Sequence, residues 1–309
     1  MRTHDRDRLH RFLFEHYPIR GQLVHLDAAW RALIEHREYP AAVRDLLGEA
    51  AAASLLLAAT IKFDGVLSLQ LQGDGPVHLL LAQCTSRLGV RGLARHREDF
   101  TGADSTAVTT APIGQGNLTV TLETDDRAQR HQGIVSLGGG TLAGALQIYF
   151  ENSEQLPTRL WLQADAEGAS GMLLQRLPRT GAGRSAGGMA ADDAQVDDAW
   201  RRVQLIGDTL TPEELRSLAD AEILRRLFHE DDVRLFEPAP VYFSCRCSRE
   251  RVGGMLRGLG EAETRSVLAE RGSVEVRCDF CNRAYLFDAV DVAQLFNAEV
   301  PARHVGTVH

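Results

Sequence analysis

The chain has 309 residues, 44% of them apolar and 25% charged, with a formal net charge of −8. That length supports a large core and more than one domain, and the composition is that of an ordinary globular protein. It argues against a membrane protein, because no apolar run reaches the roughly 20 residues of a spanning helix, and against general nucleic-acid binding, because no long basic stretch suits a phosphate backbone.

Residues 1–20 read as a partly basic opening segment without a signal-peptide core, so the expected location is the cytoplasm. Gly21 leads into a strand or turn, and Asp27–Glu38 reads as a helix. Pro40 opens a second helix over 41–61, rich in Ala and Leu and apolar nearly all round, which predicts burial. Lys62, the one lysine among 34 basic residues, gives a faint hint of a specific role. Leu67, Leu69 and Leu71 alternate with polar residues, and Gly73-Asp-Gly-Pro76 turns the chain into a returning strand from Val77 to Ala82. Cys84, after Leu79-Leu-Leu-Ala82, reads as an inert buried thiol. Further strands are predicted at 89–95, 117–123, 133–137, 158–165 and 172–176, with a helix over 141–152. Helices and strands mix without βαβ order, which favours an α+β domain around a largely antiparallel sheet.

The character changes at Pro178. Arg179–Ala190 has the Gly/Ala/Ser composition of a flexible tether. Its formal dinucleotide fingerprint, Gly181-Ala-Gly183-Arg-Ser-Ala186, follows Pro178 rather than opening a βαβ unit, so tether composition explains it. A helix is predicted at 194–206, and Thr211-Pro-Glu-Glu214 is a capping box with proline at the first helical position. Leu215, Leu218, Leu224, Leu227 and Phe228 then fall along one face of an amphipathic helix whose other face is acidic. Residues 190–237 hold 13 acids against 6 arginines, a net of −7, and so carry most of the excess charge. Self-repulsion limits the stability of such a segment, which needs a partner surface to stay folded.

Beyond Pro238 and Pro240 come Cys245 and Cys247 as C-x-C and Cys278 and Cys281 as C-x-x-C. Two close pairs about thirty residues apart can hold one zinc ion as thiolates or close into disulfides. Helices at 255–259, 261–270 and 288–296 and strands at 273–277 and 284–287 give this part little core, and a metal would contribute the missing folding energy. Spacing alone leaves a purely structural staple and a redox-sensitive site both open. No nucleophile elbow or His-Glu-x-x-His motif is present, and the histidines are scattered, so no catalytic constellation is predicted.

The blocks Ile19-Arg-Gly21, Tyr39-Pro40, Leu57-Ala-Ala-Thr-Ile-Lys-Phe-Asp-Gly65, Leu69-Gln-Leu-Gln-Gly-Asp-Gly-Pro76, Gln132-Gly-Ile-Val135 and Ser153-Glu-Gln-Leu-Pro-Thr158 precede the cysteine pattern in that order. With it, they make nearly the whole chain resemble the 33-kDa heat-shock chaperonin family of redox-regulated holdases. The resemblance implies one zinc held by Cys245, Cys247, Cys278 and Cys281 in a reduced, inactive state. It implies oxidation to Cys245–Cys247 and Cys278–Cys281 disulfides, release of zinc, and unfolding of the zinc domain and linker. It further implies a homodimer that holds unfolded client proteins without ATP and passes them to ATP-dependent foldase chaperones. No enzymatic turnover, nucleic acid or membrane is implied.

The expected organisation is an α+β domain at 1–178, a tether and acidic helical linker at 179–238, and a Cys₄ zinc domain at 239–309. We expect the linker to dock on the N-terminal sheet and to uncover Leu215, Leu218, Leu224, Leu227 and Phe228 when zinc is lost. The competing expectation is a constitutive zinc-ribbon protein that binds nucleic acid or a protein partner.

Overall fold

The computed structural model describes residues 6–102, 109–124, 130–178 and 193–297; the predicted tether at 179–190 lies outside them. In chain order the elements are β1 (Arg8–Phe14), β2 (Ile19–Leu26), α1 (Ala28–Ile34), α2 (Ala41–Thr60), β3 (Gly65–Gly73), β4 (Val77–Thr85), β5 (Gly89–His96), β6 (Gly116–Thr124), β7 (Arg130–Leu137), α3 (Leu142–Tyr149), β8 (Thr158–Ala164) and β9 (Ala169–Arg176). They continue as α4 (Asp193–Gly207), α5 (Pro212–Ser217), α6 (Asp220–Phe228), β10 (Val233–Leu235), β11 (Ala239–Pro240), β12 (Tyr242–Phe243), α7 (Arg249–Leu259), α8 (Glu261–Arg271), β13 (Val274–Arg277), β14 (Ala284–Phe287) and α9 (Ala289–Asn297). The class is α+β, as predicted. The chain divides at Ser244/Cys245 into two compact units.

In the first unit, one sheet runs β10-β1-β2-β9-β8, with β11 also beside β1, and a second runs β12-β5-β4-β3-β6-β7. All pairings are antiparallel except that of β12 with β5. Helix α2 packs against strands of both sheets, and every residue from Leu46 to Ala59 is buried. Its all-round apolarity reflects cover on every side. Gly48 permits this close approach: a Cβ there would sit 2.4 Å from the Ala164 methyl.

Glu49 lies in the middle of that buried helix. Burial, with Asp45 one turn earlier adding like-charge repulsion, pushes its carboxyl up to about 8 from the ordinary 4.5. Protonated Glu49 therefore supports the fold fully below pH 4.5, and that support is lost as pH rises through about 8. The loss is on the order of 5 kcal/mol across this window. Glu49→Gln is expected to match the parent in urea midpoint at pH 5 and to exceed it at pH 9. A difference of the same size at both pH values would refute the assignment.

Three strands of the first sheet carry more than the sequence predicts. The opening segment contains β1, and β2 and β9 are buried on both faces. One face meets the core around α2. The other supplies Phe12, Phe14, Ile19, Leu23, Met172 and Leu174 to a second core completed by α4, α5 and α6. Opposite Phe12 in the β1–β2 register stands Gly21, and a Cβ there would fall 2.0 Å from the Phe12 ring. The missing side chain lets the ring lie down as the floor on which the helices rest.

The predicted single helix after Thr211 is instead two. The capping box is present, with the Thr211 hydroxyl accepting from the Glu214 N–H at 3.2 Å and the Glu214 carboxylate accepting from the Thr211 N–H at 3.0 Å. After one and a half turns Leu218 and Ala219 become extended, with ψ of 152° and 150°. The chain restarts at Asp220, and the Glu222 carboxylate accepts from the Ala219 N–H at 3.2 Å. Helical periodicity across 215–228 cannot reveal the break, because both pieces keep an apolar face. From α6 the chain returns through β10 and β11 beside β1 and through β12 beside β5, and reaches Cys245 two residues later.

The second unit holds α7, α8, the β13–β14 hairpin and α9. Its buried apolar core is small: Val252, Leu256, Val274, Tyr285, Phe287 and Val292. Helix α7 begins earlier than the predicted 255, because the Ser248 hydroxyl accepts from the Arg251 N–H at 3.3 Å and caps it.

Candidate metal centre and the docked linker

The four cysteines predicted to act together are brought together. Their Sγ atoms all lie within 4.8 Å of one another, and they form the one such metal-competent group among the described residues. Cys245 and Cys247 lie on the stretch between β12 and α7. Cys278 and Cys281 lie in the turn between β13 and β14. There the Cys278 N–H donates to the Arg283 carbonyl at 3.0 Å and the Asn282 N–H donates to the Cys278 carbonyl at 2.8 Å. Asn282 takes φ of 53°, a left-handed conformation that asparagine tolerates and that closes the turn. Two sulfur contacts run across the two motifs, Cys245 to Cys278 at 3.5 Å and Cys247 to Cys281 at 3.4 Å.

A tetrahedral zinc with thiolate bonds near 2.3 Å sets its sulfurs about 3.8 Å apart, and only thiolates are needed to fill it. The four half-buried sulfurs fit that demand in number, chemistry and spacing. Tyr285 on β14 donates its hydroxyl to Cys247 Sγ at 3.1 Å. Burial works against ionisation of Cys247, but the hydrogen bonds from Tyr285 and the neighbouring thiols outweigh it and bring that thiol down to about 7. Burial, reinforced by the neighbouring sulfurs, pushes Cys281 up to about 12, and burial also raises Cys245. Cys84 has no part in this: it is fully buried in the first unit, and burial pushes its thiol far up.

Among the apolar residues assigned to the linker face, Leu215, Leu224, Leu227 and Phe228 are buried in the second core, and Leu218 packs half-buried against it. Phe228 lies edge-on to Phe14 with ring centroids 5.1 Å apart, and 6.4 Å from Phe12.

A family model described as "Hsp33 protein" matches residues 7–288. This chain belongs to the Hsp33 family. It is 48% identical over 305 residues to the 33 kDa chaperonin of Nitrosococcus oceani, spanning 99% of both chains. It is 44% identical over 295 residues to the 33 kDa chaperonin of Methylobacillus flagellatus, spanning 95% of this chain and 96% of that one. A crystal structure of the 33 kDa chaperonin of Thermotoga maritima superposes with a TM-score of 0.77 at 22% identity, covering 94% of this chain and 97% of that one, and so shares its fold.

One cluster in this Hsp33-family chain has no counterpart among the predicted sites. The Asp220 side chain is only 7% exposed, and both its oxygens accept bonds, Oδ2 from His10 Nδ1 at 2.5 Å and Oδ1 from His25 Nε2 at 2.6 Å. His25 Nδ1 lies 3.0 Å from the Ser170 hydroxyl. Burial opposes the Asp220 charge, but the bonds from His10 and His25 outweigh it and hold the carboxyl well below the usual range. No local signal reveals this group, because Asp220 is 210 and 195 residues away from its two imidazole partners. Tyr285, four positions after Cys281, was closer to being legible. Lys62 is exposed near the end of α2, and nothing in its surroundings assigns it a role.

Proposed function

We propose that this chain is a redox-regulated holdase, an ATP-independent chaperone of the cytoplasm that keeps unfolding proteins from aggregating under oxidative stress and does not turn over a substrate. The observation that carries the reading is the gathering of Cys245, Cys247, Cys278 and Cys281 within 4.8 Å in a unit with a small core. In the reduced state the four thiolates hold one zinc ion, which supplies folding energy that the core lacks. An oxidant such as peroxide takes two electrons from each thiolate pair and, with two protons from solvent, is itself reduced to water. The disulfides Cys245–Cys247 and Cys278–Cys281 form, and the metal loses its ligands. The zinc domain and the linker helices then unfold, which uncovers Leu215, Leu218, Leu224, Leu227 and Phe228 and the sheet beneath them. Two copies associate and hold clients until reducing conditions return and ATP-dependent foldases accept them.

The test is to expose the zinc-loaded protein to peroxide at raised temperature while following metal release, disulfide mapping by mass spectrometry and aggregation of an unfolded client. Zinc loss should coincide with suppressed aggregation. Zinc loss without holdase activity would leave the constitutive zinc-ribbon reading in its place.

A further inference from the structure

Linker helices rest on the first sheet through three kinds of contact, and these differ in what they specify. The apolar contacts of Leu215, Leu224, Leu227 and Phe228 favour burial but tolerate sliding. Exposed ion pairs at the margin, such as Arg159–Asp208 at 3.1 Å and His16–Asp232 at 2.9 Å, hold little, because solvent screens them. Asp220 differs from both. It is a linker acid buried against side chains of the sheet, both its oxygens are bonded, and the helix break at Leu218–Ala219 is what turns it inward.

We propose that His10, His25 and Asp220 form a latch that fixes the register of α6 on the first sheet, and that opening this latch is the step at which the linker leaves. The physical basis is the asymmetry of buried charge pairs. A complete pair contributes little more than an apolar replacement would, whereas a pair that loses one partner leaves an uncompensated buried charge at high cost. A linker shifted by one residue would strand the Asp220 carboxylate without its imidazoles. A linker fully released delivers all three groups to water. Partial release is the unfavourable state, so docking becomes all-or-none. This inference rests on the reading of the linker as the switch segment.

Hydrogen exchange on the reduced, zinc-loaded full-length protein tests it. In Asp220→Asn, the amides of 220–228 are expected to lose at least about a hundredfold in protection, while those of α2 and of β3–β6 keep theirs. His10→Gln, at the more exposed end of the cluster, gives the milder case, with a loss of about tenfold and the same distribution. Protection of 220–228 unchanged in both variants would overturn the latch, as would a loss spread evenly through the first unit. Client aggregation is measured on the same samples. Selective release of 220–228 without holdase activity would leave the latch standing and count against the holdase function alone.

Discussion

Stripping zinc from the reduced protein with a chelator is expected to abolish amide protection across 245–297 while β3–β6 and α2 of the first unit remain folded. Among its described residues the second unit buries six apolar side chains and otherwise depends on two segments of chain converging on four sulfurs. Structural zinc in small thiolate sites contributes about 10–16 kcal/mol of apparent binding energy at neutral pH, and that energy is folding energy. Cys278→Ser should have a comparable effect, because it replaces a soft anionic ligand with a hydroxyl in the turn that Asn282 closes. The measurement is exchange mass spectrometry beside a colorimetric zinc assay. Full protection of β13, β14 and α7 after complete zinc loss would show that the core alone suffices and would remove the basis of the switch.

The second large effect belongs to Phe228. Its ring is 2% exposed and packs against both Phe12 and Phe14. Phe228→Ala is expected to cost about 3–5 kcal/mol, from lost burial and the cavity left behind. That cost should fall on the docking of α4–α6 rather than on global unfolding, since the core around α2 does not include Phe228. The expected result is selective loss of exchange protection at 193–228 and measurable holdase activity in reduced, zinc-loaded protein. Equal loss of protection at 193–228 and in α2 would mean that the linker is an integral part of the first domain rather than a releasable one. With Asp220→Asn, this variant separates the two roles: Phe228 sets how strongly the linker docks, and Asp220 sets where.

Much of the molecule was legible in its sequence, for local reasons. The β3–β4 hairpin followed from strict alternation and a Gly-Asp-Gly-Pro turn, the burial of α2 from its all-round apolar composition, and the start of α5 from a capping box. The Hsp33-family identity was legible in ordered blocks ending in the cysteine pattern. The four-sulfur cluster needed only two short motifs, because each motif already places two sulfurs side by side.

Tertiary structure decided what depends on distant partners. The strand β1 was hidden in a basic, irregular opening, and it forms because β2, β10 and β11 supply its hydrogen bonds. The break between α5 and α6 leaves no mark in the apolar period, and the burial of Asp220 against two histidines joins residues about two hundred positions apart. Local propensity and spacing determined the hairpins, the caps and the two cysteine pairs that could hold a metal, since each is settled within a few residues by backbone geometry or chelate spacing. The docked state of the linker is a different kind of fact: an acidic helical segment with a net charge of −7 has no stable position of its own, and only the sheet face of Phe12, Phe14 and Leu23, with His10 and His25 beside it, gives it one.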